Sequence, residues 1–131
     1  MAAITLTPLD PTTAPVHINT EIIYHVYDLP VGTRVIYGKG GNIPYQVDVV
    51  ESASTIAGLC NSLVLINTET GINYIFVGTG GTGDGKGIMI IESDGGTGSK
   101  ILFKYTEENT PFLLMSTDSP STIATAINAL A

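Results

Sequence analysis

Five residues of one glycine-rich stretch carry the most explicit chemical motif in the sequence. Within VGTGGTGDGKGIMIIE, residues 77–92, Gly78, Gly80 and Gly83 satisfy G-x-G-x-x-G. Gly80, Gly85 and Lys86 satisfy G-x-x-x-x-G-K-[ST] except at its last position, which is Gly87. Both motifs work by bringing a phosphate to the outward-pointing N–H groups at the start of a helix. The segment that follows, IMIIES, is predicted to be a strand from its place in the repeat described below, so no helix receives the phosphate. No hydroxyl follows Lys86 to bind magnesium. The stretch therefore reads as a long connection between strands, with no nucleotide cofactor, and neither ATP nor NAD is expected to shift thermal stability.

The remaining chemistry-bearing residues are few. His17 and His25 fall in neighbouring predicted strands, but a zinc-type site needs further ligands, and the corresponding places in the second half hold Phe76 and Ile91. Serine, histidine and aspartate all occur, yet there is no G-x-S-x-G elbow to expose a nucleophile. Cys60 reads as a small apolar core residue. Asp28 and Asp94 precede turn formers, where a short carboxylate bonds the turn backbone. No catalytic or metal-ligating set emerges.

The basic residues are placed more informatively. Arg34 and Lys39 belong to one predicted hairpin, Lys100 and Lys104 to its counterpart, and Lys86 to the glycine stretch. Tyr37 and Phe103 lie between them at corresponding positions. Cations that contact phosphates, with rings on which bases stack, form the minimal outline of a single-strand nucleic-acid surface. Against it stand 12 acidic residues and a net charge of −7, which repel a phosphate backbone. Glu107 and Glu108 sit close to Lys104, where such a surface would need more base.

These residues are positioned by an internal repeat. PYQVDVVESASTIAGLCNSL (44–63) and PFLLMSTDSPSTIATAINAL (111–130) align at an offset of 67, matching Pro44, Ser52, Ser54, Thr55, Ile56, Ala57, Asn61 and Leu63. Upstream, IIYHVYDLPVGTRVIY (22–37) aligns with IMIIESDGGTGSKILF (88–103) at 66, pairing Asp28 with Asp94, Gly32 with Gly98 and Arg34 with Lys100. Further upstream the offset is 59, with ITLTPLD on LVLINTE and VHINT on IFVGT, which places a seven-residue insertion inside GTGGTGDGKG.

Each half thus predicts four or five short strands and a closing helix. The strands are ITLTPL, PVHIN, EIIYHVY, TRVIYG and YQVDVV, then LVLIN, NYIFV, GIMIIE, KILFKY and PFLLMS, separated by turn formers. Ile56, Leu59, Cys60 and Leu63, and likewise Ile123, Ala126, Ile127 and Leu130, have helical spacing. Ser52 and Ser119 are the predicted N-caps and Pro120 the first helical residue. The expectation is an α+β, mainly β fold. It is one domain, 1–131, made of repeats 1–62 and 63–131 that share one core about a pseudo-twofold axis.

Composition sets the remaining bounds. At 131 residues and 44% hydrophobic content the chain can bury one core of ordinary size. Its single cysteine excludes an internal disulfide. No apolar run approaches a membrane span, and the N-terminus lacks the basic and apolar segments of a secretion signal.

With the repeat in hand, the first half resembles the short flagellar and swarming-motility (FlbD-like) proteins and small phage proteins of the same outline. The resemblance rests on ITLTPLD, VHINTEII, GTRVIYGKGG and VDVVES entering a helix. It implies a small non-enzymatic interaction module with no cofactor. In topology the β-β-β-β-α units are similar to Whirly-type and coactivator-type single-strand binders. The expected function is a structural or interaction protein, an accessory component of a phage virion whose partners are itself or other virion proteins. No membrane, nucleic acid or small-molecule substrate is expected. Its location would be the virion if phage-encoded and the cytoplasm otherwise. The alternative is a single-stranded nucleic-acid-binding protein using Arg34, Tyr37, Lys39, Lys100, Phe103 and Lys104.

Overall fold

The structure is a computed structural model that describes residues 3–38, 45–60, 63–76, 87–104 and 112–129. All ten predicted strand segments form strands. The first half contains β1 (Ala3–Leu6), β2 (Val16–Asn19), β3 (Ile23–Asp28), β4 (Thr33–Tyr37), β5 (Tyr45–Val49) and α1 (Ala53–Gly58). The second contains β6 (Leu63–Thr68), β7 (Gly71–Phe76), β8 (Gly87–Ser93), β9 (Ser99–Lys104), β10 (Phe112–Ser116) and α2 (Pro120–Asn128). The protein is α+β and mainly β. No helix among the described residues is long and apolar enough to cross a membrane.

Among the described residues there are three antiparallel sheets, β1-β2, β5-β4-β3-β7-β6 and β10-β9-β8. Short backbone links join them end to end. In the first half Pro8 bridges Val49 and the Val50 N–H donates to Thr7 O at 2.9 Å. In the second, the Thr117 N–H donates to Asn67 O at 2.9 Å. With these links the strands follow one another as β2-β1-β5-β4-β3-β7-β6-β10-β9-β8. Each half contributes five strands in the same spatial order, and the halves join where β3 pairs with β7.

Local chemistry explains why corresponding segments adopt the same shape. Ser52 Oγ accepts from the Thr55 N–H and Ser119 Oγ from the Thr122 N–H, each at 3.2 Å, satisfying donors that a helix start leaves without partners. Pro120 occupies the first turn of α2. Each central hairpin needs a glycine. A Cβ on Gly32, whose φ is +81°, would lie 2.6 Å from Val49 O, and one on Gly98 would collide with Ser116 O. A β-bulge interrupts β3 between Ile23 and His25, and another interrupts β8 between Ile88 and Ile90.

Cross-strand register relates the two halves at offsets different from those read from residue type. The bulges lie 65 positions apart, so His25 corresponds to Ile90 and Asp28 to Ser93. The links to β5 and β10 make Thr7 the counterpart of Asn67, an offset of 60. Pairing across each first hairpin, Leu6 with Val16 and Ile66 with Asn73, then makes His17 the counterpart of Tyr74, an offset of 57. The offsets differ because the β1–β2 connection is long and the β6–β7 turn is tight. Such insertions are invisible to an alignment carried by apolar residue type alone.

Three further expectations are corrected. Among the described residues the buried side chains form two clusters rather than one shared core. Ile4, Leu6, Ile18, Ile23, Val26, Val35, Val49, Ala53, Ile56 and Cys60 form one buried cluster, and Val64, Ile66, Ile75, Ile101, Phe103 and Ile123 form another. Leu63 belongs to the first cluster and Tyr24 to the second, so each half completes the other's core. Nor are the halves related as a twofold axis requires. β3 pairs with β7, but the reciprocal pairing of β8 with β2 is not made among the described residues. The helices are also shorter than expected at the first site. α1 ends at Gly58, leaving Leu59 53% exposed and Leu63 in β6.

Candidate interaction surface

The proposed single-strand residues are separated by the period of two in a strand. Arg34 and Tyr37 lie three apart on β4 and therefore point to opposite faces. The same holds for Lys100 and Phe103 on β9. Arg34 is held by Asp48 on β5, Nε donating to Oδ1 at 2.8 Å and Nη2 to Oδ2 at 3.1 Å. Hydrogen bonds to Asp48, and to the Tyr27 hydroxyl at 3.5 Å, hold the guanidinium pKa above its ordinary value, and that of Asp48 below it. A two-pronged carboxylate partner neutralises the cation a phosphate would need.

Tyr37 is half-buried and stacks on Tyr45, with ring centroids 6.2 Å apart. Phe103 is fully buried and meets the His25 ring edge-on at 5.8 Å. A ring in that position cannot receive a base without opening the second core. Lys100 is half-buried between Glu92 and Met115 in the sheet register. Lys104 ends β9, while Lys39, Lys86, Glu107 and Glu108 lie outside the described residues. So does the glycine stretch apart from Gly87, where β8 begins, so the element that follows it is a strand.

The other candidates resolve individually. His25 is buried, and its Nε2–H donates to Asn73 Oδ1 at 2.7 Å. Burial lowers its pKa to about 4, so the ring is neutral near pH 7. His17 lies in a different sheet and shares a 3.0 Å hydrogen bond with Thr5 across the β1–β2 pair. Among the described residues no three His, Cys, Asp or Glu side chains gather as metal ligands. Cys60 follows α1, and burial pushes its thiol up to about 11. Asp94 Oδ1 accepts from the Gly96 N–H at 2.7 Å, the turn role expected of it. At Asp28's counterpart, Ser93 Oγ accepts from the Gly95 N–H at 3.1 Å.

Two features of the fold were not legible in the sequence. One is the junction at Asn67, whose N–H and side-chain amide both donate to Asp118 while its carbonyl accepts from Ser116 Oγ and the Thr117 N–H. The other is an apolar row on the outer face of β10-β9-β8. Ile90, Leu102 and Leu113 are direct cross-strand neighbours, and Ile90 is 51% and Leu113 53% exposed. Alternation marks two faces for β8 and β10, but not which one remains uncovered. A cleft of about 480 Å³ lies nearby, lined by Thr68, Glu69, Asp94, Thr97 and Thr117 among others.

No protein-family model, curated protein or solved structure compared with the chain matches it.

Proposed function

We propose that the two halves are copies of one strand-rich unit, and that the protein is a non-enzymatic structural component that assembles with itself or on a larger shell. Its proposed setting is a phage virion, as an accessory protein. The observation that supports this reading most directly is the row Ile90–Leu102–Leu113. It offers a contiguous apolar strip on an exposed sheet face, the kind of surface a protein partner covers. Low charge content and the resemblance to small phage and FlbD-like proteins point the same way. The test is the mass of the chain in solution and its presence in purified particles. A monomer absent from particles counts decisively against the reading.

The single-strand reading is weaker, because its best cation is paired and one of its rings is buried. Titration with fluorescent oligonucleotides separates the two. The expected result is no binding at physiological salt. Submicromolar affinity that falls with salt and is lost on Arg34→Ala with Lys100→Ala would reverse the order.

A further inference from the structure

The ribbon β2-β1-β5-β4-β3-β7-β6-β10-β9-β8 begins and ends on strands with no partner on their outer side among the described residues. At its centre β3 accepts β7 antiparallel, with His25 opposite Ile75, Val26 opposite Tyr74 and Tyr27 opposite Asn73. The corrected correspondences identify β3 with β8 and β7 with β2. The two open ends are therefore the counterparts of the two strands that meet in the middle.

The faces beside these edges correspond in the same way. His25 and Ile36, on the outer face of the first half, are covered by the second, with Phe103 against the His25 ring. Their counterparts Ile90 and Leu102 belong to the exposed apolar row. The counterpart of Phe103 is Tyr37, which is only half-buried, and beside it Tyr45 is 47% exposed. The molecule thus displays each half of its own internal junction at opposite ends. At the uncovered end the polar, buried His25 is replaced by an apolar, exposed isoleucine.

We infer that copies of this chain assemble head to tail, β8 of one pairing antiparallel with β2 of the next. The register places Ile90 opposite Ile18, Ile91 opposite His17 and Glu92 opposite Val16 of the adjoining copy. Tyr37 and Tyr45 of that copy lie over the Ile90–Leu102–Leu113 row. Strand pairing satisfies the backbone groups that an edge leaves open, and the rings exclude water from the row. Because the joined surfaces differ, the contact is heterologous. It closes into a ring or continues as a filament according to the rotation per copy. This inference rests on the assembly reading above and specifies its geometry.

Sedimentation of the full chain from micromolar to millimolar concentration tests it, together with Ile90→Lys, which places a charge on the open edge. The wild-type chain is expected to associate with concentration. Ile90→Lys is expected to stay monomeric with an unchanged circular dichroism spectrum and melting temperature. A second measurement does not depend on that variant. His17→Cys and Ile91→Cys chains, mixed and oxidised, are expected to form a disulfide-linked heterodimer, while each alone gives none. The buried Cys60 stays in place. Association that survives Ile90→Lys, or cross-linking of His17→Cys with itself, overturns the head-to-tail contact but leaves assembly standing. A monomer that is nevertheless present in particles also overturns only the contact. A monomer absent from particles overturns both.

Discussion

At the scale of single residues, burial sets the most testable behaviour. His25 carries a pKa lowered from 6.5 to about 4 by burial. Above pH 6.5 folded and unfolded states are both neutral at this ring, and stability is unaffected. As pH falls from 6.5 towards 4 the unfolded chain takes up a proton that the folded chain refuses, so stability declines across that window. His25→Gln is expected to flatten the fall in melting temperature between pH 6.5 and 5, before most carboxylates titrate. An unchanged profile would remove His25 as its source. Gly32 and Gly98 make the second residue-scale prediction. Each faces a carbonyl oxygen at a separation no Cβ tolerates. Gly32→Ala and Gly98→Ala are each expected to lower stability by more than about 1 kcal/mol in chemical denaturation, since neither backbone accommodates the added carbon.

At the scale of elements, each helix start is welded to the first strand of its half by a carboxylate. Glu51 Oε1 accepts from the Thr7 N–H at 2.8 Å, whereas Asp118 accepts from both the N–H and the side-chain amide of Asn67. The second weld has more bonds and is partly buried. Asp118→Ala is therefore expected to cost more than Glu51→Ala, about 1 to 3 kcal/mol, because it leaves the Asn67 donors unmet. Equal losses in urea unfolding would contradict that ranking. Ser52→Ala and Ser119→Ala remove the helix caps, and each is expected to cost about 1 kcal/mol. The caps were legible in the sequence because Ser-x-x-Thr precedes both helices. The length of α1 was not, since Leu59 and Leu63 continue an apolar spacing that the backbone does not follow.

At the scale of the whole molecule, the two halves are separable in sequence but not in packing. Leu63 completes the first core, Tyr24 the second, and β7 occupies the inner edge of β3. Residues 1–62 expressed alone would lack Leu63 and would expose β3, His25 and Ile36. That fragment is expected to be unfolded or aggregated, as judged by circular dichroism and light scattering. A monodisperse, cooperatively melting fragment would show that the β3–β7 junction is dispensable.

Local signals in the sequence determined the ten strand segments, the capped starts of both helices, the two hairpin glycines and the strand that follows the glycine stretch. Each depends on residues a few positions apart, where alternation, capping and turn chemistry act directly. Tertiary structure alone decided which face of each strand was covered. Tyr37 and Phe103 occupy corresponding places, yet only Phe103 is sealed, because His25 on the earlier strand β3 meets its ring and none among the described residues plays that part for Tyr37. His25 became a neutral core residue only when Asn73, 48 positions away, arrived beside it. The offsets of 57, 60 and 65 were likewise set by cross-strand pairing. A strand's period of two specifies that it has two faces, and long-range packing chooses between them.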